Sequence, residues 1–356
     1  MFIRTVTFQR ANNYGAAMQT YALAKYLTDI GNRVEILDYC PNWMQEIDSP
    51  FYGFLRKPSL ENFLLLPSKM IKRQKFLKFL SGFSNVGKSL SDKAELAQLS
   101  DCDMYVAGSD QIWNPEITDG LDDVYLLNFP TTAIKISYAA SCGLDELSDR
   151  LVQAVANKVA SFRGISVREH SLEGRLKDWG ISKAIGVLDP TFLLDREDYK
   201  NIELVPKHSN YLLIYTMFQS QKLRQLAKRV ADYYGLQIVE VAARKEWPAD
   251  YVEAFAGPRE WLGLIDKADF VITNSFHGAA LSINYRKNLY VMKAENRSSR
   301  IHSMLNDFGM EDRFVQDDDV ENLAITYTDY EKYEGRIAQR VEESKMFLKE
   351  YCNAKN

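Results

Sequence analysis

The chain has 356 residues, 46% hydrophobic and 26% charged, an ordinary globular composition at a length that favours two domains over one core. A formal charge of −4 argues against a nucleic-acid binder, because proteins that grip phosphate backbones carry a basic excess. Four dispersed cysteines (Cys40, Cys102, Cys142 and Cys352) form no CxxC pair and have no histidine cluster beside them. This argues against a disulfide framework or a metal centre and for reduced thiols in a cytoplasm.

The first eight residues, Met1 to Phe8, are too short and, at Arg4, too polar for a signal peptide, and read as a first strand. A turn at Asn12-Asn13-Tyr14-Gly15 leads into a helix over 16–30, which Gly31-Asn32 stops. Residues 34–39 form a second strand. Residues 41–100 break this rhythm with Pro41, Pro50, Pro58 and Pro67. Residues 69–80 (KMIKRQKFLKFL) read as a basic amphipathic helix, either a solvated face or a surface that approaches anionic lipid. Strands are expected at 104–107, 134–139 and 165–167, with a helix over 151–162 between the last two. The charged stretch 195–210 marks a boundary. Beyond it strands are expected at 211–215, 237–241, 270–273 and 289–291, and helices at 221–234, 261–268, from Gly278 and from Asp329. No run approaches the ~20 apolar residues of a membrane span. The expected fold is α/β, two Rossmann-like domains with mainly parallel sheets. Their bounds are 1–200 and 201–330, and a C-terminal helix over 331–356 packs back on the first domain.

In open parallel sheets, ligands bind beyond the carboxyl ends of the strands. Four segments put polar groups there. In Thr273-Asn274-Ser275-Phe276-His277-Gly278, a helix start offers free N–H groups to an anion. His277 can exchange a proton near neutral pH, and the small residues after it let a ligand reach the backbone. The same residues also fit a Ser-capped helix whose histidine satisfies a loop carbonyl. Arg168, just past a buried strand, suits a carboxylate or phosphate clamp, or a structural salt bridge to Glu169 or Glu173. In Gly108-Ser109-Asp110-Gln111-Ile112-Trp113-Asn114, Asp110 suits a base or a sugar-hydroxyl acceptor and Trp113 a stacking platform. An Asx turn with a core tryptophan fits equally. Asn13-Tyr14-Gly15 suits a backbone cradle but is no GxGxxG. Arg300 and Lys293 follow the last expected strand on the same side as His277. His170, His208 and His302 read as loop or surface residues.

Taken in order, these segments resemble the polysaccharide pyruvyl transferase family. The fragments are Asn12–Gly15 with Gln19–Leu23, Gly108–Asn114, Ser137–Gly143, Ser166–Glu169, Leu188–Leu194, Asn274–Gly278 and Ser299–Ile301. The resemblance implies a pair of Rossmann-type domains like those of GT-B glycosyltransferases. It also implies transfer of a pyruvyl group from phosphoenolpyruvate to two hydroxyls of a sugar, giving a ketal and phosphate. The donor is a co-substrate and no cofactor is implied; the acceptor is a sugar or a lipid-linked oligosaccharide. On this resemblance His277 is the acid, Asp110 the candidate base, and Arg168 the donor clamp, with Ser275, Gly278, Arg300 and Lys293 on the donor side. Asn13, Gly15, Gln111 and Trp113 fall to the acceptor side, with the first domain taking the acceptor and the second the donor. Ser275 stands where many members carry arginine, so Arg300 or Lys293 would supply that cation. Ala16 stands where some branches carry an acid, which leaves the acceptor base open. The acceptor would be a surface-glycan precursor in the cytoplasm, at the inner face of the membrane if peripheral contact occurs. Two other readings are a nucleotide-sugar glycosyltransferase on the same fold and a non-catalytic glycan- or metabolite-binding protein.

Overall fold

The apolar runs that alternate with helices become two six-stranded sheets, each strand parallel to its neighbours. This is seen in a computed structural model that describes residues 1–83, 85–293 and 299–352. The first sheet is built from β1 (Phe2–Val6), β2 (Arg33–Ile36), β3 (Met104–Asp110), β4 (Ile134–Ala140), β5 (Gly164–Val167) and β6 (Ala184–Gly186), in the order β2-β1-β3-β4-β5-β6. The second contains β7 (Tyr211–Tyr215), β8 (Gln237–Glu240), β9 (Tyr251–Val252), β10 (Phe270–Thr273), β11 (Asn288–Met292) and β12 (Phe314–Val315), in the order β12-β11-β10-β7-β8-β9. Every residue of β3, β7 and β10 is buried, as expected when helices cover both faces of a parallel sheet. Three short strands, β6, β9 and β12, had no signal in the sequence. With two or three residues each, they carry no readable period.

The chain divides into two units. One holds Met1–Tyr52, Leu77–Leu193 and the chain from Gln339 onward; the other holds Gly53–Phe76 and Leu194–Ala338. The sequence reading gave all of 1–200 to the first unit, whereas the helical segment 53–76 belongs to the second. That segment contributes no strand, so nothing in a sheet register holds it to the first unit. The helix Glu334–Cys352 starts in the second unit and continues into the first. There Ser344 Oγ accepts the Leu188 N–H at 2.9 Å, and the Tyr351 ring lies so close to Gly164 that a Cβ there would meet it at 2.8 Å.

The strand order fixes where each sheet can take a ligand. Connections reverse direction where neighbouring strands are not consecutive, and the loops there diverge to leave a crevice at the carboxyl ends. In the first unit the reversal falls between β1 and β3, in the second between β7 and β10.

Candidate functional site

In the second unit the chain leaves β10 at Thr273 and turns at once into the helix Phe276–Asn284. The turn is built from its own side chains. Thr273 Oγ1 donates to the Tyr215 carbonyl of β7 at 2.6 Å and accepts the Ser275 N–H at 3.0 Å. Ser275 caps the helix, its Oγ accepting the Gly278 N–H at 3.3 Å. Asn274 ties in the loop after β7: its Oδ1 accepts the Met217 N–H at 2.8 Å and its Nδ2 donates to the Phe218 carbonyl at 2.8 Å. The reversal point is thus crossed by one asparagine and one threonine. Both lie in the segment 273–278 that the sequence marked, but no role was assigned to either there.

His277 is the second residue of this helix and only 7% exposed. Its ring stands edge-on to Phe276, with centroids 5.1 Å apart and planes at 86°. Arg300, buried on the helix Ser299–Phe308, lays its guanidinium over the other ring of this pair, 5.8 Å from the Phe276 centroid. Gly278 is sterically required, since a Cβ would meet Thr273 Oγ1 at 2.6 Å and Tyr215 Cδ1 at 3.0 Å. Burial pushes the Tyr215 phenol far up, so that ring contributes a neutral wall to the helix start. The structure therefore brings together Ser275, His277, Gly278 and Arg300. Lys293 lies just past β11 and is exposed.

In the first unit β3 ends on Asp110, whose φ of 69° is left-handed, and β4 carries a second such residue, Ala139, with φ 51°. Non-glycine residues are costly in that region and collect where function or packing over-determines them. The β4–β5 register shifts between Ser137 and Ala140, which accommodates the distortion. Asp110 Oδ1 accepts the Gln111 N–H at 2.9 Å and lies 3.6 Å from Arg168 Nη2. Arg168 Nη1 donates to Asp189 Oδ2 at 2.8 Å, and Ser109 Oγ donates to the same oxygen at 3.0 Å. Asp189 Oδ1 accepts both the N–H (3.0 Å) and the hydroxyl (2.9 Å) of Thr191. Desolvation pulls the buried Arg168 guanidinium down, but Asp189, Asp110 and Glu169 outweigh it and hold its pKa above the ordinary value.

The partners of Arg168 differ from those read in the sequence, which were Glu169 and Glu173. Glu169 turns instead to Ser141 Oγ and to the Gly143 N–H at 3.2 Å, and Glu173 lies beside Lys177 and His170. Asp189 was missed as a partner because it stands 21 residues downstream; an aspartate before proline was its one local mark, fitting its role as cap of the turn Pro190–Phe192.

Trp113 is a correction. It is wholly enclosed, its indole N–H donating to the Tyr125 carbonyl at 3.2 Å, so it presents no face on which a sugar can stack. The loop is an Asx turn with a core tryptophan: Asn114 Oδ1 accepts the Glu116 N–H at 2.9 Å. Gln111 Oε1 accepts from Asn114 Nδ2 at 3.0 Å and occupies the space a side chain at Gly143 (φ 65°) would need. Asn13 caps the helix Tyr14–Asp29, its Oδ1 accepting the Ala16 N–H at 3.1 Å. Gly15 is therefore a buried first-turn residue rather than part of a turn ahead of the helix. His170 and His208 face Glu173 (3.3 Å) and Glu253 (2.7 Å), and His302 is exposed with its ring 4.1 Å from that of Phe314.

Two Rossmann-like units with parallel sheets, each with polar residues at its reversal point, define a fold of the GT-B glycosyltransferase class. Residues 13–293 match the family model described as polysaccharide pyruvyl transferase, and the chain belongs to that family of transferases acting on polysaccharides. None of the curated proteins matches the chain. Among solved structures it is similar to one described as a UDP-N-acetylglucosamine 2-epimerase from Listeria monocytogenes (7% identity, 100% of this chain and 97% of that one, TM-score 0.56). It is also similar to the S. aureus MnaA–UDP co-structure (11% identity, 99% and 97%, TM-score 0.50). The E. coli heptosyltransferase WaaC with ADP aligns over 97% of this chain and 100% of its own, at 11% identity and TM-score 0.45. At these identities the likeness is one of fold alone.

Proposed function

We propose that this protein transfers a pyruvyl group from phosphoenolpyruvate to two hydroxyls of a surface-glycan sugar, forming a ketal and releasing phosphate. The observation that carries the reading is His277 at the amino end of a buried helix, at the β7–β10 reversal, with the Arg300 guanidinium over the adjoining Phe276 ring, in a chain of this family. The donor is a small polyanion, and helix N–H groups together with Arg300 suit its phosphate and carboxylate. In the first step the imidazolium of His277 gives its proton to the methylene carbon of the enol, which becomes the methyl group and leaves an oxocarbenium-like centre at C2. One sugar hydroxyl adds to C2 and its proton passes to a base. The C2–O bond to phosphate then breaks, a second hydroxyl adds, and the second proton leaves with phosphate.

Asp110 is the base in this proposal. Arg168 enters as the cation that holds the carboxylates of Asp189 and Asp110. Acting as a donor clamp as well would require it to exchange one of them for the donor's carboxylate. Asn13, Gly15 and Gln111 belong to the acceptor side, assigned to the first unit, and Ser275, Gly278 and Lys293 to the donor side, assigned to the second. Because phosphoenolpyruvate carries several charges and does not cross a bilayer unaided, the proposed reaction runs in the cytoplasm, on a precursor that has not yet been exported.

The test is phosphate release from phosphoenolpyruvate with a panel of free and lipid-linked sugars. Release is expected with at least one acceptor, and His277→Ala should lower its rate by about 10²–10⁴-fold, the usual contribution of a general acid. Absence of release with every acceptor, together with a thermal shift by a nucleoside diphosphate and none by phosphoenolpyruvate, would overturn the reading in favour of a nucleotide-sugar donor.

A further inference from the structure

The first unit holds another tryptophan at the carboxyl ends of its strands, and unlike Trp113 it reaches the surface. Trp43 lies on the short helix Asn42–Ile47, which follows β2. The next residue, Met44, is buried in the core, and Gln45 Nε2 donates to the Cys40 carbonyl at 2.8 Å. At the far end of the helix Asp48 meets the turn after β1. Its Oδ1 accepts the Asn12 N–H at 3.2 Å, and its carbonyl accepts from Asn12 Nδ2 at 2.8 Å. The loops after β1 and β2 are thus fixed to one another, beside the β1–β3 reversal.

Trp43 is partly exposed, as are Asn12 and Asp48. Its ring lies 6.3 Å from that of Phe8 at 82° and 6.5 Å from that of Tyr125 at 62°, so neither is stacked on the indole face. The indole is hydrogen-bonded to Asp122, a carboxylate that also accepts the Tyr39 hydroxyl at 3.0 Å and the Val124 N–H at 2.8 Å. That bond uses the one donor an indole has, so what the ring still offers is apolar. Tyr125 comes from the loop after β3. Its hydroxyl is buried and has no hydrogen-bond partner among the described residues, whereas a buried phenol ordinarily finds one. Burial, reinforced by Asp122, Tyr39, Cys40 and Asp48, holds its pKa well above the ordinary value, so the group stays a neutral donor.

We propose that Trp43, Asp48, Asn12 and the Tyr125 hydroxyl form a subsite for a sugar ring, with the C–H face of a pyranose on the accessible part of the indole and its hydroxyls meeting Asp48 and Tyr125. The chemistry selects this occupant. The carboxylates of Asp48 and Asp122 repel a phosphate or another carboxylate, and Arg10, the one cation in the turn after β1, is held by Asp38, with Nε 2.6 Å from Oδ1. A wholly apolar ligand would leave the Tyr125 hydroxyl without a partner. A neutral ring with an apolar face and a rim of hydroxyls satisfies both conditions. That this ring is the acceptor of the reaction rests on the pyruvyl-transfer reading; the subsite itself rests on the first unit alone.

The test is isothermal titration of the full chain, without phosphoenolpyruvate, with the methyl glycosides of glucose, galactose, mannose and N-acetylglucosamine. At least one should bind. Trp43→Ala should weaken that binding by at least about tenfold, and Trp43→Phe, which keeps a ring, by less than about threefold. Tyr125→Phe should weaken it about three- to tenfold, the usual worth of one hydrogen bond, and should melt no lower than the parent, because it removes a hydroxyl that makes no bond to the described residues. No binding of any glycoside, or undiminished binding by Trp43→Ala or by Tyr125→Phe, would overturn the proposal. So would binding of uridine or adenosine in place of the glycosides. Phosphate release that continues with an unchanged acceptor KM in Trp43→Ala would sink this inference and leave the reaction standing. Sugar binding that depends on Trp43, without phosphate release, would do the reverse.

Discussion

At the scale of residues, position 275 shows how one side chain decides what its neighbours must do. Ser275 spends its hydroxyl on the cap of the helix holding His277, an interaction that the arginine the family resemblance led one to expect there could not make. In the proposed reaction the donor's cation would come from elsewhere, and Arg300, on a different helix, lies over the Phe276 ring next to His277. Gly278 is the residue whose replacement reports most directly on this packing. Gly278→Ala would drive a methyl group into Thr273 Oγ1, which is held by two hydrogen bonds, and into the buried Tyr215 ring. The variant should lose about 1–3 kcal/mol of stability, the usual cost of overpacking, read as a lower urea midpoint. An unchanged midpoint would mean that the helix start is looser than described. The types of the site residues were legible in the sequence, because histidine, glycine and serine after an apolar strand have few purposes. Their partners were not: Arg168, just past β5, finds Asp189 from 21 residues downstream, while Glu169 stands at the cap position of the next helix and is taken by Ser141 and Gly143.

At the scale of elements, long strands and helices followed their periodicity closely. The helix Gln221–Tyr234 runs from the Ser220 cap to Gly235 in the left-handed conformation, and β7 and β10 have the bounds their apolar runs suggest. Errors cluster where the chain is short of residues or where a cap shifts the start. The first helix begins at Tyr14 because Asn13 supplies the cap, and the helix of His277 begins at Phe276, two residues before Gly278. Ser275→Ala should therefore cost about 1 kcal/mol, typical of a lost cap, and Ser275→Asp much less, because a carboxylate can accept the same N–H beside the positive helix end. Thermal unfolding of the two variants side by side measures this. Equal losses would show that the cap hydrogen bond contributes little. The loop 109–114 taught the opposite lesson: its polar and aromatic density suggested an open binding surface, yet Trp113 is sealed in the core and Asn114 folds the loop on itself.

At the scale of the molecule, buried acids of high pKa dominate the expected response to alkali. Burial pushes the Cys352 thiol up to about 12 and the Tyr26 phenol up to about 12, and carries Cys142, Tyr125 and Tyr138 well above their ordinary values. Each is held protonated in the folded chain and ionises more easily when unfolded. Their contribution is thus complete below the unfolded values, near 9 for thiols and 10 for phenols, and is lost as pH rises from there toward the folded values. Lys72, pulled down to about 8 by burial, works the other way between about 8 and its ordinary value, and Lys135 and Lys287 shift in the same direction, but the raised thiols and phenols, Tyr39, Tyr211 and Tyr285 among them, outnumber these lysines. The urea midpoint should fall clearly between pH 8 and pH 10.5, and a midpoint that holds or rises over that interval would contradict the burial of these groups.

The sequence alone determined the class of fold, because apolar runs too short to be helices alternate with amphipathic stretches long enough to cross a sheet, and that pattern buries its surface best as parallel strands under helices. It also determined the family, through short polar segments kept in order from the first turn to the last helices, and it marked His277 as the residue to watch. Tertiary structure decided the rest. Strand order set which two loops in each unit flank a crevice. The fold gave Arg168 two aspartates and Trp113 a place in the core, and it assigned residues 53–76 to the second unit with their apolar side turned out. The physical reason is the range of the forces involved. Periodicity and capping act within a few residues and can be read along the chain, whereas ion pairs, close packing and exposure depend on residues brought together from tens or hundreds of positions away.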